Sequence, residues 1–149
     1  MKRIFTFLTA MSICSLFFGQ VADDIVGIYR HVDTKYDLTV EIAVVKRGEN
    51  NYGCQIVQIF NHKQEQKALP YKAKNNRPLI GSDLMEQGLS FFSDKKEWRG
   101  KIYHPAWKRT LSCVVTLPAK DHLRIYAYWG PRWLGLGDSL GWTRVRKTN

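Results

Sequence analysis

The chain has 149 residues, of which 44% are hydrophobic and 13% aromatic, and its 23 lysines and arginines against 13 acidic residues give a formal net charge of +10. This length suits one domain with a single buried core, and the composition shows neither a low-complexity tail nor an internal repeat. The histidines stand singly, at His31, His62, His104 and His122, which excludes a recognisable zinc site.

The first predicted element in the chain is a signal peptide. Lys2 and Arg3 form a short basic region, and an uncharged, apolar run over residues 4–18 follows it. The run is shorter than the roughly 20 apolar residues that a membrane-spanning helix needs. Its length and flanks fit a secretory signal better than an uncleaved anchor. We therefore predict a signal peptide over residues 1–19.

Cleavage is expected after Gly19 or, at the latest, after Ala22, which leaves one domain over residues 20–149. Lipid attachment is disfavoured, since Cys14 lies inside the apolar run rather than at its end. The expected location is periplasmic or secreted. Loss of the two basic residues of the signal peptide lowers the net charge from +10 to +8. After export, such a surface favours anionic lipid or an acidic ligand over nucleic acid, or simply aids solubility.

Period-2 alternation of apolar and polar side chains dominates the rest of the chain. It predicts a half-buried strand over residues 38–45, a turn over 47–51 and a second strand over 52–60, which together make a β-hairpin. Strict alternation places the residues of the second strand on opposite faces: Cys54, Ile56 and Gln58 on one, and Gln55, Val57 and Ile59 on the other.

Residues 61–76 are polar, Lys-rich and without periodicity, which is typical of a functional or mobile loop. Six further short strands are predicted after it, over residues 79–86, 89–93, 98–103, 110–117, 122–129 and 140–146. No segment shows sustained helical periodicity. This series of short strands predicts an all-β protein, either an antiparallel up-and-down barrel of about eight strands or a sandwich.

Two cysteines, Cys54 and Cys113, lie in apolar strand-like segments. An oxidising compartment permits a disulfide between them. Two buried free thiols are the alternative, because a disulfide requires Cα atoms within roughly 7 Å.

Two groups of side chains are candidates for binding a ligand. Arg77 is held in an extended conformation by the proline that follows it. Its guanidinium is suited to bind a carboxylate or phosphate, or else to anchor the loop through backbone carbonyls. Aromatic and basic residues also cluster around a later turn, as at the mouth of an apolar site or at a membrane interface, although ordinary packing across strands gives the same pattern. These are Tyr126, Tyr128, Trp129, Arg132 and Trp133.

No catalytic motif is present. No serine has a histidine in an identifiable partner position. The glycine-rich segment 135–141 lacks the third glycine of a nucleotide loop and precedes a strand rather than a helix. We therefore expect a non-enzymatic protein without a cofactor or a metal.

Five segments occur in an order that resembles a known family: DDIVGIY at 23–29, RPLIG at 77–81, W-x-G-x-I-Y-x-P at 98–105, S-C-x-V-x-L at 112–117 and GWTRV at 141–145. Together they resemble the bacterial envelope family called domain of unknown function 2147. The resemblance covers essentially all of the chain after the signal peptide. It implies a lipocalin-like (calycin) barrel, in a family whose biochemical role is not established.

The resemblance also implies how one end of the barrel closes. Calycin barrels pair a glycine-x-aromatic motif on the first strand with an arginine on the last, and Gly27 with Tyr29 and Trp142 with Arg144 match this pattern. A guanidinium over an aromatic face, donating to nearby carbonyls, seals the end, so the role is structural. The chain departs from the family in having His104 where an aspartate is usual.

These observations lead to one expected function and one alternative. The first is binding of a small apolar or amphipathic ligand in or at the mouth of the barrel, whose interior is wide enough for one small ligand. The alternative is an interaction module that docks on anionic lipid or on a protein partner through its basic surface. The oligomeric state is left open.

Overall fold

The computed structural model describes residues 21–34, 38–60 and 71–146. The predicted signal peptide at residues 1–19 lies outside the described residues, as does the 61–70 part of the predicted long loop. The described residues contain eight strands: β1 (Gly27–Asp33), β2 (Leu38–Gly48), β3 (Asn51–Phe60), β4 (Ser90–Phe92), β5 (Glu97–His104), β6 (Arg109–Ala119), β7 (His122–Tyr128) and β8 (Gly137–Arg146).

In the same described ranges, three short 3-10 helices accompany the strands, at Ala22–Ile25, Lys74–Asn76 and Arg132–Leu134. Within the described ranges, no helix has the length and apolar character needed to cross a membrane.

The strands form one antiparallel sheet in the order β3-β2-β1-β8-β7-β6-β5-β4, so the first strand pairs with the last. The sheet curls until its edges are bridged by residues 80–89. Tyr52 on β3 exchanges two backbone hydrogen bonds with Leu89, at 3.0 and 2.7 Å. Leu84 donates to the carbonyl of Cys54 and accepts from the N–H of Tyr103, both at 2.8 Å. The predicted antiparallel up-and-down barrel of about eight strands is confirmed.

The predicted hairpin is present as β2 and β3, but β3 does not alternate strictly. Glu41 pairs with Gln58 and Ile42 pairs with Ile56, so Val57 is an extra residue that forms a β-bulge. Ile56 and Ile59 are therefore both buried in the core, whereas strict alternation placed them on opposite faces. That prediction was wrong because the bulge shifts the period by one residue.

The prediction of a strand over residues 79–86 is also wrong. The segment makes only isolated bridges, at Ile80, Asp83 and Met85. Hydrogen bonds to a side chain take the place of some backbone pairing here, because the Asp83 carboxylate accepts from the backbone N–H groups of Cys54 at 3.2 Å and of Met85 at 2.7 Å. Such local side-chain bonds compete with regular pairing.

Cys54 and Cys113 are both buried and free, so of the two alternatives the structure shows a pair of free thiols and not a disulfide. Burial raises the pKa of Cys113 to about 12. Burial and the neighbouring Cys113 raise the pKa of Cys54 still further. Both groups are therefore protonated at neutral pH and lack the thiolate that reacts.

The barrel is closed at the end where β1 begins and β8 ends. The Arg144 guanidinium carbon lies 5.2 Å from the centre of the buried Tyr29 ring, and Nη2 donates to the Tyr29 hydroxyl at 2.6 Å. Nη2 also donates to the carbonyl of Asp24. The Tyr29 hydroxyl in turn donates to the carbonyl of Ile25 at 2.8 Å. We call this end the floor.

Two further contacts hold the floor together. A Cβ on Gly27 would lie 3.1 Å from the Arg146 carbonyl and 3.2 Å from Arg144 Nε, closer than an ordinary contact, so glycine at this position favours the close approach of the two strands. The fully buried Trp98 donates its indole N–H to the carbonyl of Ala22 at 3.0 Å, which fixes the helix Ala22–Ile25 across the end.

Candidate functional site

The opposite end of the barrel is open. Because the strands are antiparallel, the ends of β1, β3, β5 and β7 meet there with the starts of β2, β6 and β8. A cavity of about 150 Å³ enters the barrel at this end. Inward-facing apolar side chains of the strands line most of it, and they include Val40, Ile42, Ile56, Ile102, Leu111 and Ile125.

Polar and aromatic residues complete the cavity wall. His31 lies with its Nε2 3.8 Å from the Asp33 carboxylate. The His104 ring stacks on Trp107 at 4.4 Å between ring centres. Tyr71 and Tyr103 also line the cavity. Mixed walls of this kind, mostly apolar with a few polar groups, are typical of small-molecule sites.

Trp142 forms part of the same wall. The resemblance to calycin barrels placed this residue at the closing end, beside Arg144. The structure separates the two, because Arg144 contacts Tyr29 at the floor and Trp142 lines the cavity. The Trp142 side chain is buried, and its ring lies 6.3 Å from that of His31, centre to centre.

A wider groove of about 620 Å³ continues from the cavity to the surface. It shares residues with the cavity, among them His31, Leu111 and Ala127, and it adds Trp107 and Trp129. The open end therefore offers a narrow apolar interior followed by a broader entrance with aromatic and polar groups, which suits an amphipathic molecule.

The sequence-predicted ligand-binding residues are not gathered into one site, and none of the six lines the cavity. Tyr128 and Trp129 line the outer groove. The Tyr126 ring stacks on the Tyr128 ring at 5.5 Å between ring centres. Both lie on the outer face of β7, whereas Ile125 faces inward. Trp133 is 83% exposed.

Arg77 lies in a different place, a polar depression of about 460 Å³. The acidic groups there already have cationic partners, because Asp83 pairs with Arg47 and Glu86 pairs with Lys74. The carbonyl of Arg77 accepts the N–H of Ala73 at 2.9 Å, so its backbone holds the end of the preceding loop.

Arg132 is engaged in an ion pair on the outer wall. Its two terminal nitrogens donate to the two carboxylate oxygens of Glu97 at 3.1 and 3.3 Å, and Arg99 Nε donates to the same carboxylate at 2.7 Å. This bidentate pair ties the loop between β7 and β8 to β5.

Within the described parts of the chain, no group of three or more His, Cys, Asp or Glu side chains is arranged to hold a metal ion.

The model of a family described as "Uncharacterized protein conserved in bacteria (DUF2147)" matches residues 27–144. The chain belongs to DUF2147. The resemblance that five short segments carried in the sequence is thereby confirmed.

This DUF2147 protein has the fold of a lipocalin. It superposes on a solved structure of protein HP1028 from the human pathogen Helicobacter pylori, described as belonging to the lipocalin family, with a TM-score of 0.60. The two sequences are 16% identical, and the match covers 80% of this chain and 81% of that one. At this identity the likeness shows the fold. No curated protein matches the DUF2147 chain.

The ion pair on the outer wall of the DUF2147 barrel leads to a pH-dependent prediction. Burial alone would raise the pKa of Glu97, but the hydrogen bonds and charges of Arg132 and Arg99 outweigh it and hold that pKa below its usual value. The folded state therefore favours the carboxylate. The resulting stability is complete above the ordinary pKa of about 4.3 and is lost as the pH falls through the lowered pKa.

We expect Glu97→Gln to lower the free energy of unfolding at pH 7 by about 1 kcal/mol, because the bidentate pair is lost. The gap between the two proteins should shrink as the pH falls below about 4. Urea denaturation at several pH values measures this gap, with exposed Glu49→Gln as the control. A gap that does not change with pH would contradict the assignment.

Proposed function

We propose that this DUF2147 protein is an exported, non-enzymatic binding protein that holds a small apolar or amphipathic molecule at the open end of its barrel. The observation that carries the proposal is the apolar cavity of about 150 Å³ and its continuation into a wider groove. The lipocalin-like fold supports it. Export is supported by the basic and apolar pattern of residues 1–19.

The size of the cavity limits what enters it. An apolar cavity of this volume takes a group about the size of benzene. A single ring or the end of a short alkyl chain therefore fits the interior, and the rest of a longer molecule would lie in the groove. Removal of apolar surface from water, worth about 25 cal/mol per Å², supplies the driving force.

Displacement of a fluorescent apolar probe tests the proposal directly. N-phenyl-1-naphthylamine is bound to the chain without its signal peptide and then titrated with straight-chain fatty acids and alcohols of increasing length. We expect displacement by the amphipathic molecules, with affinity rising with chain length until the groove is filled. If the probe does not bind and native mass spectrometry detects no ligand adduct, the proposal is wrong.

A second proposal concerns the loop between β7 and β8. Its large apolar side chains are exposed: Trp129 by 67%, Trp133 by 83%, Leu134 by 46% and Leu136 by 50%. Exposed tryptophans are suited to a bilayer interface. The open end, where Trp107 and Trp129 line one groove, adds exposed Lys108 in the turn between β5 and β6 and exposed Arg109 at the start of β6. We propose that this loop, which runs from the open end along the outer wall, docks on anionic lipid bilayers together with these basic residues.

Co-sedimentation with vesicles of phosphatidylcholine and phosphatidylglycerol tests the docking. Replacing Trp129 and Trp133 together with serine is expected to weaken binding by about ten-fold or more, since the interfacial rings are lost. Raising the salt to 0.5 M should weaken it through screening. The control is Val145→Ser, a partly exposed apolar residue near the floor. Equal binding to neutral vesicles, or no effect of the double substitution, would contradict docking through this loop.

A further inference from the structure

The wall of the outer groove contains four large apolar side chains that are at least half exposed to water. These are Val32, Trp107, Trp129 and Leu136. They come from three places that lie far apart in the chain: strand β1, the turn between β5 and β6, and the loop between β7 and β8. Exposed apolar groups that the fold gathers around one opening are typical of a binding surface. We call these four residues the lip.

Contacts within the fold hold the lip in place. The Trp107 ring stacks on the His104 ring with 4.4 Å between ring centres, and the backbone N–H of Trp107 donates to His104 Nδ1 at 3.3 Å. The backbone N–H of Trp129 donates to the carbonyl of Leu136 at 2.9 Å, which fixes the two ends of the β7–β8 loop side by side. The apolar side chains of the lip are therefore presented to the outside by ordered structure.

The lip surrounds the route into the barrel. Leu111 and Ala127 line both the groove and the cavity, so the groove leads from the lip to the apolar interior. Tryptophan side chains are suited to the interface of a bilayer. When the lip is in contact with lipid, the groove opens toward the bilayer and not toward water.

The charges beside the lip are compatible with an anionic bilayer. Lys108 and Arg109 are exposed and directly follow a residue of the lip. Two carboxylates also line the groove, but Asp33 lies 3.8 Å from Nε2 of His31, and Asp138 accepts a backbone N–H at 2.8 Å. The positive net charge of the whole chain adds to the attraction.

We propose that the ligand is a single-chain amphiphile that resides in the bilayer, and that it passes from the bilayer along the groove into the cavity without crossing water. This route rests on the proposed binding in the cavity and on the proposed docking. A cavity of about 150 Å³ admits one chain end and leaves no room for the second chain of a phospholipid. Each methylene group that is kept out of water speeds the departure of the chain from the bilayer about four-fold.

The kinetics of transfer test this route. Trans-parinaric acid, a fluorescent straight-chain fatty acid, is placed in vesicles of phosphatidylcholine and phosphatidylglycerol that carry an energy acceptor. Its fluorescence recovers as it moves to the chain without the signal peptide. Transfer through water is limited by departure from the vesicle, so its rate does not depend on the protein concentration. We expect instead a rate that rises about ten-fold for a ten-fold increase in protein concentration.

A substitution in the lip links the rate to this surface. Trp129→Ser is expected to slow transfer by about three-fold or more, because one interfacial ring is lost. The control is Val145→Ser, which removes an exposed apolar side chain near the floor and should transfer at the rate of the unmodified protein. Binding of trans-parinaric acid without vesicles and co-sedimentation with vesicles are measured in parallel for each protein.

The outcomes separate the route from the two proposals on which it rests. If trans-parinaric acid does not bind in the absence of vesicles, the proposed function of the cavity fails. If the protein does not sediment with vesicles, the proposed docking fails and direct transfer fails with it. If both bind but the rate is independent of protein concentration, the cavity and the docking stand and direct transfer is overturned. Equal rates for Trp129→Ser and Val145→Ser also overturn transfer through the lip.

Discussion

Replacing Arg144 with methionine is expected to lower the free energy of unfolding by about 3 kcal/mol. The guanidinium donates to the Tyr29 hydroxyl and to the carbonyl of Asp24, and it covers the aromatic ring at 5.2 Å. Methionine retains the apolar stem of the side chain and loses every one of these hydrogen bonds. The Asp24 carbonyl then has to find another partner, and the helix Ala22–Ile25 loses its tie to β8.

Urea denaturation followed by circular dichroism measures this effect. The matched control is Arg124→Met, an exposed arginine on β7. This control should change the free energy of unfolding by no more than about 0.5 kcal/mol, as surface substitutions usually do. If both variants lose the same amount, then general loss of positive charge, and not the floor, accounts for the result.

Replacing Ala127 with phenylalanine is expected to weaken binding of an apolar ligand by at least about ten-fold. Ala127 lies on β7, where it lines both the cavity and the groove. Its Cβ therefore marks the passage between them, and a phenyl ring attached there occupies the space that a ligand needs. Phenylalanine is compatible with a strand, so the backbone tolerates the change.

The control for this experiment adds the same ring outside the barrel. Ser139 lies on the neighbouring strand β8 and is exposed, so Ser139→Phe introduces the same ring on the surface without entering the cavity. Probe displacement should be lost in Ala127→Phe and retained in Ser139→Phe. Unchanged affinity in Ala127→Phe would show that the ligand binds elsewhere on the molecule.

Alternation alone predicted most of the barrel, because antiparallel strands with one face in the core have a period of two. On β6, strict alternation puts Leu111, Cys113, Val115 and Leu117 on one face, and all four are buried. The pairing of β1 with β8 was not visible in any local pattern. It followed only from the family resemblance, which joined two short motifs at opposite ends of the chain.

Two parts of the fold could not be predicted from local sequence patterns. The bulge at Val57 adds a residue without any glycine or proline to mark it, so the change of face at Ile59 had no local signal. Residues 79–86 are apolar enough to suggest a strand, but the Asp83 carboxylate and the neighbouring strands determine how their backbone is hydrogen-bonded.

The candidate site was missed for a different reason. Periodicity tells which side chains of a strand share a face, but not where the interior is incompletely filled. The aromatic and basic residues around the turn after β7 were predicted to bind the ligand instead, but they lie at the entrance and on the outer wall. Trp142 was assigned to the closing end of the barrel, and only the coordinates place its side chain on the cavity wall.

The floor also has a consequence for how the chain folds. The bond from Arg144 to Tyr29 joins residues 115 positions apart, whereas the β2–β3 and β6–β7 hairpins are local. Closing so long a loop is entropically costly, so we expect the hairpins to form first and the junction of first and last strands to form late. Arg144→Met should then refold at an unchanged rate and unfold faster, and slowed refolding would instead place this junction in the folding nucleus. In the folded barrel, one guanidinium ties the first strand to the last, so detachment of either strand has to break the same hydrogen bonds.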